Sequence, residues 1–480
     1  MRLLRAASQP NKKTMNADDL IMHLNERRRP AKKAAFAARA LATAPHNDEI
    51  AQVILNHLAA FVPLQDHSGD AAEPFLALIA EAERHGRPRV AEALAILLRF
   101  RVKPKRGDGI VAQIMRDARL PAIDNAPIVG AIGRAAGLTG QDALKQRARC
   151  RYATLRPYWR DPKSGDGVVR ALILNRLPNL MADQPQYVFN HSNLPLGYAE
   201  EGTHPRLALD VLMLLGADPG GVIDRIERPS VVINNIGGGE VLKREGLSPL
   251  IEDIARRLGA PLINPPGAVI DAGREENYRR IGETEHLIFP KTIGLPPGFD
   301  PAAAANAARD AFDGPVIVRD MFSHMGARMR LVADPAELEG ALAPHVQSGC
   351  YAIAYHDYPQ RDGLYYRYRM YRVGDHITPS RIHVSEGWNV HGKEHDALKE
   401  TRPELKLAEL EVRFWERPTE LVPEPVWNAL AAMLRESGLD YCGCDFTMAP
   451  DGRAFIFEMN SAMHMKLKGR EAFERLVGLT

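Results

Sequence analysis

The stretch LDYCGCDFTMAPDGRAFIFEMNSAM, residues 439–463, places two apolar runs on either side of a Pro-Asp-Gly turn signal. Side chains alternate across a strand, so residues two apart share a face. Glu458 and Asn460 therefore fall on one face of AFIFEMN, with Phe455, Phe457 and Met459 on the other. The turn APDG at 449–452 sends the chain back on itself, so a strand carrying Asp445 is expected alongside, bringing a second carboxylate to the same wall. Two carboxylates and an amide oxygen, without His or Cys, are hard donors of the kind that suits Mg2+, which usually takes further oxygens from a phosphate. Cys442 and Cys444, one residue apart, project to one face and read as small core residues, not as a zinc knuckle.

Working outward, the chain from residue 290 onward alternates strand-like runs with helices. GPVIVRD, RMRLVAD, CYAIAYHDY and LYYRYRMYRVGDHITPSRIHVS read as strands, the last folded into a hairpin at Val373-Gly374-Asp375. PAAAANAARDAF, DPAELEGALAPHV and EPVWNALAAMLRESG have helical periodicity. This third is mixed α+β with antiparallel hairpins.

Upstream, RALILN, QYVFN and SVVINNI read as short buried strands, and PRLALDVLMLLG and SPLIEDIARRLG as helices ending at Gly. Such alternation implies a mostly parallel sheet with ligands beyond the strand ends, where His191, Ser192, Asn193, Asn234, Asn235 and the glycines of IGGGE fall. The triple glycine lacks the spacing of known phosphate loops, so a substrate loop and a ligand-free turn both remain open. Before the Pro/Gly-rich stretch at 156–169 the pattern is helical and Ala/Leu-rich.

At 480 residues the chain has room for two to four domains at roughly 100–200 residues each. A net charge of +2 gives no global case for nucleic acid or membrane binding. The basic run at 25–40 reads as a solvated helical face or arm. Four cysteines make no disulfide framework, and the first residues lack the apolar run of a secretory signal, so a reducing cytoplasm is the expected setting.

In their order these segments resemble the ATP-grasp ligases, the family of glutathione synthetase, D-alanine ligase and the ribosomal-protein glutamate ligases, over roughly residues 259–466. The helical pattern and the Pro/Gly-rich boundary give a helical domain at 1–165; beside it the resemblance implies a Rossmann-like pre-ATP-grasp domain at 166–266 and an ATP-grasp domain at 267–480, with ATP and Mg2+ as cofactors. It places a basic helix residue, Arg280 or Arg279, at the nucleotide. Arg319 becomes the phosphate-binding residue of a strand, with Ser323, His324 and Gly326 in the loop closing over the triphosphate. The hinge holding adenine and ribose carries Tyr355 and Asp357, the strand beyond it presents Arg369 with Arg367, and the metal ligands are Asp445, Glu458 and Asn460. Arg replaces the family's usual Lys at two basic positions, a planar fork in place of a point charge. Ser461-Ala462-Met463 replace the common Pro-Gly pair.

The activity so implied is ATP-dependent formation of an amide or peptide bond through an acyl phosphate. Arg319 and Arg369 offset charge on the transferred group, and the substrates are a small-molecule or peptide carboxylate and amine. His383, His391 and His395 lie near the expected acceptor, each also readable as a plain core or surface residue. Two other readings are a kinase on the same fold, and a scaffold whose helical third binds a protein or peptide partner beside a vestigial ATP site.

Overall fold

A computed structural model describes residues 142–178, 205–215, 220–322, 329–360, 362–461 and 470–479, with a few isolated earlier positions. Most of the expected N-terminal helices, the run QYVFN and the triad at 191–193 lie outside the described residues. The chain divides into two units, the first comprising Met1–Tyr158, Arg176–Asn190 and Met213–Pro219, the second Trp159–Asn175, His191–Leu212 and Gly220–Thr480. In the first unit the helix α1 (Asp142–Leu155) is described, with Arg149 donating to the Pro178 carbonyl at 2.7 Å. Among the described residues no helix is long and apolar enough to cross a membrane.

The first of three sheets has the order β1-β3-β2-β4-β5, formed by Tyr158–Trp159 (β1), Val169–Asn175 (β2), Leu207–Met213 (β3), Val231–Asn234 (β4) and Leu262–Ile263 (β5). The pairs β2–β4 and β4–β5 are parallel, as the alternating pattern predicts. The segment LALDVLM is a strand, whereas its apolar spacing had suggested a helix. All seven residues of β3 are buried, and a short run apolar on both faces carries no period that separates strand from helix. Its one charge, Asp210, is neutralised by Arg170 of β2 at 2.6 Å and also accepts the Asp161 backbone N–H at 2.9 Å.

Helices α2 (Gly239–Glu245), α3 (Ser248–Leu258) and α4 (Pro266–Asp271) follow β4 and β5 in the chain. The helix α3 ends at Gly259 in the left-handed region, φ 59°, as its sequence signal requires. The last glycine of IGGGE has a packing reason: a Cβ on Gly239 would stand 2.9 Å from the Ile270 Cα of α4. Gly239→Ala is therefore expected to lower stability by about 1–3 kcal/mol through backbone displacement, measurable as a fall in the denaturation midpoint, while Gly246→Ala, with open space but φ 62°, reports only the conformational cost.

Two layers frame the C-terminal half. One has the order β7-β10-β8-β9, from Thr292–Leu295, Cys350–Ala354, Val316–Asp320 and Met329–Val332. Ala304, Ala305 and Ala308 of α6 (Pro301–Ala311) share its core with Val316, Val318 and Ala352. The other has the order β12-β11-β13-β14-β6, from His376–Ser385, Tyr365–Val373, Tyr441–Met448, Ala454–Asn460 and Leu287–Ile288. The pair β14–β6 is parallel and the other pairs of both layers are antiparallel. Between β5 and β6 lies α5 (Arg274–Ile281); α7 (Gly392–Thr401), α8 (Leu407–Glu416) and α9 (Glu424–Arg435) separate β12 from β13.

The hairpin of the opening stretch forms with Asp445 opposite Glu458. Its register then slips: Phe446 faces Ile456, leaving Phe457 as the extra residue of a bulge. Strict alternation had put Phe455 and Phe457 on the face away from Glu458. The bulge reverses the alternation beyond it, so both aromatics line the same cavity as Glu458 and Asn460.

Candidate functional site

A cavity of about 570 Å3 is lined by residues of both C-terminal layers, a volume suited to a small-molecule ligand. Its floor is a single rung across four strands. Arg381 of β12 faces Arg369 of β11, which faces Asp445 of β13, which faces Glu458 of β14. Two cations thus lie beside two anions along one line of the sheet. Arg319 of β8 and Arg274 at the start of α5 complete the charged wall, with Arg367 one alternate position from Arg369. Five arginines face two carboxylates, so the lining carries an excess of positive charge with its histidines neutral.

Both carboxylates are committed to guanidinium groups. Asp445, 1% exposed at its side chain, takes a bidentate pair from Arg369, Nε to Oδ1 at 2.5 Å and Nη2 to Oδ2 at 2.7 Å, with the Arg367 Nε at 3.8 Å. Burial alone would raise its carboxyl; Arg369 outweighs it and holds the group below the usual carboxylate range. Glu458 pairs with Arg274, which also donates to the Phe457 carbonyl at 2.5 Å, and Arg319 stands 3.7 Å away. Its carboxyl is likewise lowered against the cost of burial, by Arg274 and then Arg319. Arg319 is itself depressed to about 10, by burial first and by its neighbour Arg274 second.

The other end of the cavity is aromatic. Tyr355 and Trp388 meet edge to face at 5.8 Å, and Phe455 packs against His356 at 5.1 Å and Tyr358 at 5.2 Å. Tyr355 and Tyr365 both donate to the exposed Asp357, at 2.8 and 2.7 Å. A flat apolar ring fits between such faces while a polyanion extends toward the arginines.

Of the residues singled out in the sequence, Arg319, Arg367, Arg369, Tyr355, Asp445, Glu458 and Asn460 come together around this cavity. Asp357 is not among the lining residues but accepts from Tyr355 and Tyr365, which are. Arg280 is exposed and bonds Asn277 at 2.8 Å, and Arg279 is exposed and bonds Glu275 at 2.6 Å; neither lines the cavity. The basic group supplied by that helix is Arg274, a residue the sequence reading passed over because nothing in REENYRRI ranks one arginine above another. Ser323, His324 and Gly326 lie outside the described residues.

The three histidines separate cleanly. His395 is core: its Nδ1 accepts the Val384 backbone N–H at 3.1 Å and its Nε2 meets Glu411 at 2.9 Å, tying α7 and α8 to the edge strand β12. His383 faces the cavity with Nδ1 2.8 Å from the Arg367 Nη2. Burial, then Arg367, depress it to about 3. The ring is expected to stay neutral, so its NMR resonances should not titrate between about pH 8 and about pH 5; a midpoint near the ordinary 6.5 would show that Arg367 lies elsewhere. Because its folded pKa is lowered, this histidine contributes stability that is full above about 6.5 and is lost as pH falls toward about 3. His391 lines the cavity at the start of α7.

The donor chemistry of Asp445, Glu458 and Asn460 fits Mg2+, but no group of three or more His, Cys, Asp or Glu among the described residues is placed to cage a metal. Two carboxylates suit an ion that brings the rest of its oxygens with it as phosphates and water.

No family model matches the chain, and neither does any curated protein. Solved structures similar to it include the D-alanine-D-alanine ligase of Coxiella burnetii, 8% identical, covering 65% of this chain and 94% of that one with a TM-score of 0.40. The VanG D-Ala:D-Ser ligase of Enterococcus faecalis is 11% identical over 65% of this chain and 99% of its own, TM-score 0.40. An ATP-grasp RimK domain protein of Sphaerobacter thermophilus is 15% identical over 65% and 97%, TM-score 0.36. The chain is similar to ATP-grasp ligases. At such distances the likeness carries no residue roles, and the functional reading rests on the cavity's own side chains.

Proposed function

We propose that the cavity binds ATP with Mg2+ and that the protein is a carboxylate–amine ligase of the ATP-grasp kind. The observation that carries this reading is the charged rung: two adjacent carboxylates for a metal, set among more arginines than they can neutralise, with an aromatic slot at the far end. An excess of guanidinium in a partly enclosed space favours a polyanion, and its planar donors match phosphate oxygens. On this reading the three domains are the helical 1–165, the substrate-binding 166–266 and the nucleotide-binding 267–480, and the cytoplasm is the setting.

Tyr355 and the rings around Phe455 hold the base. Arg274, Arg319 and Arg369 take the phosphates; Asp445, Glu458 and Asn460 would hold Mg2+, which would supply charge neutralisation at the transferred phosphoryl group. Arg369 and Arg274, paired with Asp445 and Glu458, are the guanidinium groups that would turn their donors to phosphate oxygens. A substrate carboxylate oxygen then attacks the γ-phosphorus and its bond to the bridging oxygen breaks, releasing ADP. An amine attacks the acyl carbon, the carbon–oxygen bond to phosphate breaks, phosphate leaves and the amine sheds a proton.

Hydroxylamine intercepts an acyl phosphate. Incubating the protein with Mg·ATP, hydroxylamine and pools of amino acids or short peptides should give ADP and a hydroxamate with one pool. A stable phosphoester with no hydroxamate would show a kinase instead.

A further inference from the structure

The outer end of the rung holds a cation that adds to the cavity's positive charge but is given no phosphate to contact. Arg381 lies directly opposite Arg369, and like charges facing each other across a strand pair cost stability. Asp445 neutralises Arg369, whereas no carboxylate among the described residues pairs with Arg381, and its Nε is buried with no hydrogen-bond partner. A backbone irregularity puts it there: the register passes from Arg369↔Arg381 to Met370↔Pro379, so Ser380 is the extra residue of a bulge, its own hydroxyl also buried and unbonded. Bulges beside sites re-aim side chains, and a buried donor left unsatisfied is costly to keep without a use.

Three strand spacings, about 14 Å of sheet, separate the backbone of Arg381 from that of Glu458, where Arg274 and Arg319 gather. Arg367, held by His383, and the segment from Trp388 to Gly392 line the same cavity as Arg381. The neutral His383 cannot neutralise either arginine.

We propose that Arg381 and Arg367 form a second anion subsite that receives a carboxylate of the co-substrate, so that the ligase joins molecules at least one of which stays anionic beyond the reacting group. This role rests on the ligase reading. The guanidinium forks match a carboxylate in the plane of its two oxygens, and the bound anion satisfies the orphaned Nε and relieves the facing arginines together.

The test titrates succinate, and its neutral diamide as control, into the full-length protein with and without Mg·AMP-PNP, for wild type and Arg381→Met. Succinate, but not the diamide, should bind loaded wild type and weaken about ten-fold or more in the variant. Affinity for Mg·AMP-PNP should stay within about three-fold, and the ligand-free melting temperature should hold or rise as the like-charge contact disappears. Equal succinate binding by both proteins, no binding by wild type, or a parallel loss of nucleotide affinity would each overturn the subsite. A wild type that takes succinate but no nucleotide would remove the ligase reading and the co-substrate role while keeping the subsite.

Discussion

Asp445→Asn is expected to cost about 3–5 kcal/mol of stability, the usual penalty for stripping one partner from a buried ion pair. The carboxylate is 1% exposed and holds Arg369 through both oxygens. The amide keeps the shape and loses the charge, leaving Arg369 facing Arg381 with nothing between to offset them. For a unit of this size the apparent melting temperature should fall by roughly 6–20 °C. Adding Arg369→Gln should recover part of that loss, because the two side chains are in contact and their effects are not additive. The carboxyl is depressed in the fold, so its contribution is present above the ordinary 3.8 and fades as pH drops below it. Wild type and variant should therefore converge in acid. A fall of less than about 2 °C at neutral pH would mean that the pair is not formed as described.

Glu458→Gln has the largest expected effect on function. Glu458 faces Asp445 and is held by Arg274 and, at 3.7 Å, Arg319. Removing its charge takes away one of two carboxylates for the metal but leaves both arginines available to phosphate. Nucleotide alone should thus bind the variant at least as well as it binds wild type, while the gain conferred by Mg2+ disappears and turnover falls about 100-fold or more. The fold should survive, since the Phe457 carbonyl still accepts from Arg274. A variant that loses metal-free binding as well would place Glu458 in the architecture and not in the metal site.

The opening stretch was legible because a strand and a turn enforce proximity: once APDG reverses the chain, Asp445 and Glu458 have few places to go but opposite one another. Its aromatics were not, because a bulge is one residue of slippage with no glycine at Phe457 to announce it. The same limit hid Arg381, re-aimed by the extra Ser380. LALDVLM was misread as helix because a strand buried on both faces lacks the period-2 signature, and only its partners give Asp210 its reason. Arg274 emerged only in three dimensions, where the first turn of α5 meets β14 while the last turn, with Arg279 and Arg280, faces solvent.

The central claim is that this cavity takes a nucleotide whose metal is held by the carboxylate pair. Calorimetric titration of AMP-PNP into the full-length wild type and Glu458→Gln, each with and without Mg2+, tests it most directly. Binding by wild type that tightens about ten-fold or more with Mg2+, and a variant indifferent to the metal, is the result predicted. No binding by wild type under either condition would contradict it and leave the arginine-rich cavity to another anion.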